Sequence, residues 1–378
     1  MTRRTTLLTA AALAAVAACP GVALAQPKAE PVSITFVDAD AGANIQLLFK
    51  EIVIPLAEKQ ENVKVNYVVS KGPEMLERIK GWGTRQGDIH VLHVKPDDAT
   101  AFFAAGIPLV KLTDHVGMAP NLAKVNKEVM QKVLGVDIDG RATSMFRFTM
   151  AIMYDSSKIP NPPKSWKEFY ERRAEWKGHI GMVRTDAKST GGRRTLYSFF
   201  DANGVDFSKP LDQVMKSPEY IATEKKFQDF STYLHNPLAS EPPILFQQFK
   251  DGDVWIAEFA MDYTLSSRDL GMLPKTVKGI LLSEGHTGGA NAYFLVPSNI
   301  DPKKREAAMK FINVALSKEV QQKMAERFYL YPSTDIANEL PASLWQVVPP
   351  LSTLKIREIK NADFMNFSKE KGMGLVKQ

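Results

Sequence analysis

The segment Ser189-Thr190-Gly191-Gly192-Arg193-Arg194 carries the sharpest local chemistry in the chain. Its glycines permit close backbone approach, a helix start gathers free amides there, and two cations stand alongside, a combination suited to an anion. A phosphate, phosphonate or carboxylate would be held by the Thr190 hydroxyl, the Gly191 and Gly192 amides and one arginine, with Arg193 the candidate. A glycine-rich turn with solvated arginines is the plainer alternative. Asp38 and Asp40 follow an expected first strand, where a carboxylate receives an ammonium or hydroxyl group, or else caps the next helix. Glu258, Asp262 and Tyr263 lie in WIAEFAMDYT after another expected strand. The rings of Trp255 and Phe148 offer cation–π contact or stacking on a sugar face, although most aromatics in such a chain are core.

Enzyme chemistry finds no comparable support. There is no Gly-x-Ser-x-Gly elbow and no His-Glu-x-x-His helix. His90 and His93 are three apart on an expected strand and therefore point to opposite faces, so shared metal ligation is not expected. GWGTRQG, from Gly81 to Gly87, follows a helix instead of a strand and misses the dinucleotide fingerprint. No catalytic residue, metal or cofactor is assigned.

The elements that must position these residues alternate. Val32 to Val37 reads as a strand, Asp38 to Asn44 as a polar turn, and Ile45, Leu47, Leu48, Ile52 and Leu56 as a helix that Pro55 should kink. Val63 to Val69 and Asp88 to Val94 read as further strands, Met75 to Trp82 and Asp97 to Ala105 as helices. Strands alternating with helices imply parallel βαβ units, whose ligand sites lie beyond the carboxyl ends of the strands. The loops beginning at Asp38, at Ser70 (which carries Lys71) and at Lys95 are therefore candidate walls. Ser165 should cap a helix bearing Trp166 and Phe169, and Asp301-Pro302 should open another.

At 378 residues, with ordinary soluble composition, the chain exceeds what one core usually organises and two domains are expected. Residues 1–25 read as a cleavable export signal: Arg3 and Arg4, an apolar run from Thr5 to Ala18, and Ala23-Leu24-Ala25 before Gln26. Val16-Ala17-Ala18-Cys19 is also similar to a lipobox, in which Cys19 would be acylated and tether the mature chain. Cleavage after Ala25 instead removes the sole cysteine and leaves no disulfide. Subtracting the two signal arginines from the formal charge of +6 leaves a mildly basic chain with interspersed signs, which gives nucleic acid or membrane binding no support.

Three segments carry a resemblance to the extracellular solute-binding proteins of bacterial ABC importers, the spermidine/putrescine, iron and maltose-type superfamily. MAIMYDSSKIPNPPKSWKEFYE resembles the interlobe strand and its Tyr, Pro, Ser-Trp passage; GGANAYFLVPSNIDPKKREAAMKFINVALSKEVQQKMAE resembles the return strand and paired helices; FYLYPST resembles the terminal Tyr-Pro turn. The resemblance implies an α/β, two-lobed periplasmic binding protein fold of type II, each lobe a mainly parallel sheet flanked by helices and joined by crossing hinge strands. It places lobe 1 at 26–146 and 292–330 and lobe 2 at 147–291 and 331–378. It implies a monomeric periplasmic protein, not an enzyme, that closes on a small molecule by hinge motion and delivers it to an inner-membrane ABC permease. The Glu258–Tyr263 segment commonly reaches the cleft in this family. Polyamine binders carry an aromatic residue and an acid before the proline of the return strand, where this chain has Ala290, Asn291 and Ala292. Iron binders use adjacent tyrosines, whereas Tyr263 stands alone. The expected ligand is a polar organic molecule with an anionic group, with Asn291 among its contacts and a cationic end met by Asp or Glu.

Overall fold

A computed structural model of the chain describes residues 30–39, 42–290, 292–336, 339–340 and 355–377. The expected export signal, Cys19, Asp40 and Asn291 lie outside the described residues.

The first half builds as its hydrophobic periodicity predicts. Strand β1 (Val32–Ala39) leads to helix α1 (Ala43–Leu48), a π-helical turn (Phe49–Val53) and helix α2 (Ile54–Glu61). The kink expected at Pro55 takes the form of that π turn, which lies just before Pro55 in an otherwise continuous helical run. Strand β2 (Val63–Ser70), helix α3 (Gly72–Lys80), strand β3 (Val91–Val94) and helix α4 (Pro96–Ala104) follow. β1 pairs in parallel with β2 on one side and β3 on the other.

The chain then enters β4 (Phe146–Asp155), a strand of 10 residues. Helix α5 (Trp166–Glu171) is capped as expected by the Ser165 side chain, which accepts from the Glu168 amide at 3.0 Å. Strand β5 (Ile180–Gly181), helix α6 (Gly191–Ala202), strand β6 (Ile256–Ala260), helix α7 (Met261–Asp269) and strand β7 (Val277–Ile280) complete the excursion. Strands β8 (His286–Ala290) and β9 (Tyr293–Leu295) bring the chain back, and β9 pairs antiparallel with β3 to finish the first sheet in the order β9-β3-β1-β2. Helix α8 (Pro302–Ala315) is capped by Asp301, and α9 (Lys318–Phe328), β10 (Tyr331–Pro332) and β11 (Ile356–Glu358) follow.

The second sheet departs from the expected parallel pattern. β4 pairs antiparallel with β6, β7, β8 and β10, and among the described residues the strands of this sheet pair in parallel at β5 with β6 and at β8 with β11. The reason is directional: β4 carries the chain out of the first sheet, and strands that carry it back alongside must run the other way. Apolar side chains sort accordingly. One core draws on residues between Ile34 and Phe146 and between Ala292 and Leu330. Two others draw on residues from Ala151 to Leu282 and from Ala325 to Leu375, so β4 begins in the first core and ends in the others. No helix among the described residues is long and apolar enough to cross a membrane.

The start of α6 is fixed by its glycines. A Cβ on Gly192 would lie 2.1 Å from the Val183 carbonyl oxygen, a backbone atom, whereas one on Gly191 would meet the edge of the Phe259 ring at 2.5 Å. A ring can turn aside and a backbone carbonyl cannot. Gly192→Ala should therefore destabilise the protein by about 1–3 kcal/mol and by more than Gly191→Ala. Urea midpoints of the two variants check this, and equal losses would contradict it.

Candidate functional site

A cavity of about 360 Å³ lies against the carboxyl ends of β1 and β3, where loops of a parallel sheet gather. The first sheet contributes Ala39 and His93, the turn after β3 contributes Lys95, and the start of α1 contributes Asn44. Facing them are Lys188, Ser189, Thr190 and Gly191 at the entrance to α6, Arg194 within its first turn, and Phe259, Asp262 and Tyr263 at the corner from β6 into α7.

The α6 entrance presents hydrogen-bond donors. The first amides of a helix have no intrahelical partner, and those of Gly191, Gly192 and Arg193 donate to no other group among the described residues. Ser189 Oγ is buried without a hydrogen bond. Glu241 holds the approach to the helix by accepting from the Lys188 and Ser189 amides at 2.7 and 3.2 Å.

The two arginines divide the work because successive residues on a helix point about 100° apart. Arg193 turns away from the cavity: its Nη1 donates to the Thr185 and Ala187 carbonyls at 3.2 and 2.9 Å, and its Nη2 reaches Asp97 of α4 at 3.3 Å. Arg194 lines the cavity, with its guanidinium 4.1 Å from the centroid of the Phe148 ring and its Nε unpaired. Burial pulls Arg194 down to about 10, with Asp97 and Asp262 opposing and Arg193 adding to the shift, so it stays a cation at neutral pH.

Asp262 supplies the opposite charge. Its Oδ2 accepts from Asn44 Nδ2 at 3.4 Å and its Oδ1 is unpaired. Burial pushes it up to about 6, and nearby backbone amides, Arg194 and Asn44 hold it from rising further.

The remaining sequence candidates fall elsewhere. Asp38 is fully buried at the end of β1, behind His93, and neither lines the cavity nor caps α1, whose cap is Gly42. Gly192 is packed on the Val183 carbonyl. Lys71 is on the surface, paired with Glu74 at 3.2 Å. Trp255 stacks on His179 at 3.6 Å and donates to the Gly252 carbonyl. Phe148 lines a neighbouring cavity of about 740 Å³ that shares the Arg194 wall. Glu258 is buried in β6, lines neither cavity and makes no hydrogen bond of good geometry through its carboxyl oxygens. The structure thus brings together Thr190, Gly191, Asp262 and Tyr263, and adds Asn44, His93 and Arg194. His93 ends a strand of a βαβ unit, which is the one sequence signal that would have singled it out.

The family model for bacterial extracellular solute-binding proteins matches residues 51–347. No curated protein matches the sequence significantly. The fold is similar to that of a Bordetella parapertussis protein classed as an extracellular solute-binding protein, at 18% identity over 91% of this chain and 97% of that one, with a TM-score of 0.70. It is also similar to a spermidine/putrescine ABC transporter substrate-binding protein from Streptococcus pneumoniae, at 13% identity, 91% and 98% coverage and a TM-score of 0.69. A periplasmic binding protein from Actinobacillus pleuropneumoniae, solved with fructose-6-phosphate, matches at 10% identity, 91% and 96% coverage and a TM-score of 0.62. At these identities the likeness concerns the fold, which is the two-lobed α/β architecture expected from the sequence.

Glu258 gives the site region a pH signature. Burial pushes its carboxyl up to about 8 from 4.5, the Ser198 and Thr195 hydroxyls opposing. The folded protein therefore holds a proton that the unfolded chain releases, and stability falls as pH rises from about 4.5 to about 8. Glu258→Gln removes that penalty, on the order of several kcal/mol at its fullest. Melting curves should show the variant gaining on the parent between pH 5 and pH 8.5; a difference independent of pH would contradict the assignment.

Proposed function

The chain belongs to the bacterial extracellular solute-binding proteins, and from that premise we propose that it captures a small polar organic acid in the periplasm and delivers it to an inner-membrane ABC permease. Members of this family bind small ligands and serve a transporter; they are not enzymes. The observation that carries the ligand class is the buried, cavity-lining Arg194 beside the unpaired amides of α6. The anionic group, a carboxylate, phosphonate or phosphate, sits at Ser189, Thr190, Gly191 and Arg194. A cationic or hydroxyl end faces Asp262 and Asn44. A buried guanidinium in the cavity wall argues against a polyamine, whose charges it would repel.

The lobes we assign, 26–146 with 292–330 and 147–291 with 331–378, are supported by the way the apolar cores divide. Closure brings α4 to α6, where Asp97 meets Arg193.

Thermal shift and calorimetry with sugar phosphates, phosphonates, organic acids, amino acids and polyamines test the proposal. Saturable micromolar binding of an acid is expected, weakened about 10- to 100-fold by Arg194→Gln, the worth of a hydrogen bond to a charged group. For an amino acid the affinity should also fall as pH drops below about 6, where Asp262 takes up a proton. Binding of polyamines alone, unchanged in Arg194→Gln, defeats the proposal. Asp97→Ala should enlarge the radius of gyration of the ligand-free protein in X-ray scattering, since it removes an ion pair between the lobes; an unchanged radius would deny that pair a part in closure.

A further inference from the structure

The packing of the His93 ring leaves its Nε2 unexplained. The residue is 2% exposed, lines the cavity, and its Nε2 has no hydrogen-bond partner. The parallel register of β1 and β3 sets Asp38 opposite His93, which places both side chains on one face of the sheet. Asp38 Oδ1 lies 3.0 Å from His93 Nδ1, and Asp38 Oδ2 accepts the Tyr67 hydroxyl at 2.6 Å. A carboxylate has no proton to give, so Nδ1 is the donor in that contact. In the neutral ring this leaves Nε2 as a bare acceptor. The rings of Phe49 and Phe294, 4.8 and 5.2 Å away between centroids, wedge the imidazole so that it cannot turn to find another partner.

Resting on the reading of this cavity as the solute site, we infer that His93 Nε2, held by Asp38, accepts a hydrogen bond from the ligand and restricts it to acids that also carry a hydroxyl or ammonium group. The unpaired groups of the wall form a complementary set. Ser189 Oγ and Arg194 Nε are donors for an anion, and His93 Nε2 and Asp262 Oδ1 are acceptors. An acid without a donor of its own leaves those acceptors dry. A site built around a hydrogen bond rejects the analogue that lacks it far more strongly than it rejects a change of shape.

The probes are straight-chain carboxylic acids of about three to six carbons and the matching alkyl phosphates, each unsubstituted, hydroxylated and aminated, a size range set by what a pocket of this class encloses. Calorimetry should show the hydroxylated or aminated form binding at least about tenfold tighter than its unsubstituted partner. His93→Phe should bring that ratio close to one while binding stays dependent on Arg194, and His93→Gln, whose carbonyl also accepts, should restore part of it. Nitrogen-15 spectra of the imidazole in the ligand-free parent need no variant. They should show Nδ1 protonated and Nε2 bare, with Asp38→Asn disturbing that tautomer and lowering the ratio. Equal binding of unsubstituted acids that still depends on Arg194, or a spectrum with the proton on Nε2, overturns this inference and leaves the anion site intact. Loss of all Arg194-dependent binding overturns both.

Discussion

Arg194, Asp262 and His93 are each buried in the wall of one small cavity, and each keeps a polar atom without a partner. Leaving such a group dry and unpaired costs about 1–3 kcal/mol, and more where it is charged. A fold selected for stability alone would place hydrocarbon there. The groups are set in rigid surroundings, and on the proposed function the cost would be recovered when a ligand of complementary shape and charge arrives. Affinity and selectivity then have one origin: a ligand that pairs every group gains what the empty site lacks, and one that misses a group leaves the cost standing.

Rigid placement comes from the sheets. Parallel pairing of β1 with β3 brings Asp38 and His93 side by side at the strand ends, so the orientation of the imidazole follows from register and needs no loop to fix it. On the opposite wall, glycine at 192 lets the first turn of α6 lie directly on the Val183 carbonyl. That contact sets the height of the helix start, and with it the position of the free amides and of Arg194. The corner from β6 into α7 places Asp262 in a first helical turn. Each functional group therefore stands on a strand end or a helix start, and β4, which is hydrogen-bonded to four other strands, ties the cores that carry them.

The alternation of strands and helices, the Ser165 and Asp301 caps and the glycine-rich entrance to α6 were legible because each depends on near neighbours in sequence. The antiparallel character of the second sheet was not, since a strand's partners are set by where distant segments return. The same limit governed the site. That 193 and 194 are both cations is plain from sequence; which of them faces the cavity depends on the Thr185 and Ala187 carbonyls that claim Arg193. Asp38 was visible as an acid after a strand. Its service to His93 depends on a register between segments 55 residues apart. Trp255 offered a ring suited to a ligand, and His179 took it.

Similar folds hold chemically different ligands: among the neighbours are proteins described for polyamine transport and for a sugar phosphate. The fold alone therefore does not name the solute, and on the proposed function the choice would rest with the few groups on the cavity wall. In this chain that wall and the contact between the cores are joined at one turn of helix. Arg194 meets the cavity while Arg193, its neighbour, meets Asp97 on α4. On the proposed function, an anion at the start of α6 would order the turn that holds both arginines, and ordering that turn would favour the contact between the cores. A ligand can shift an open and closed equilibrium only by binding one state better than the other. On the proposed function that difference would lie in a single helical turn, with Arg194 meeting the solute on one side and Arg193 meeting Asp97 on the other.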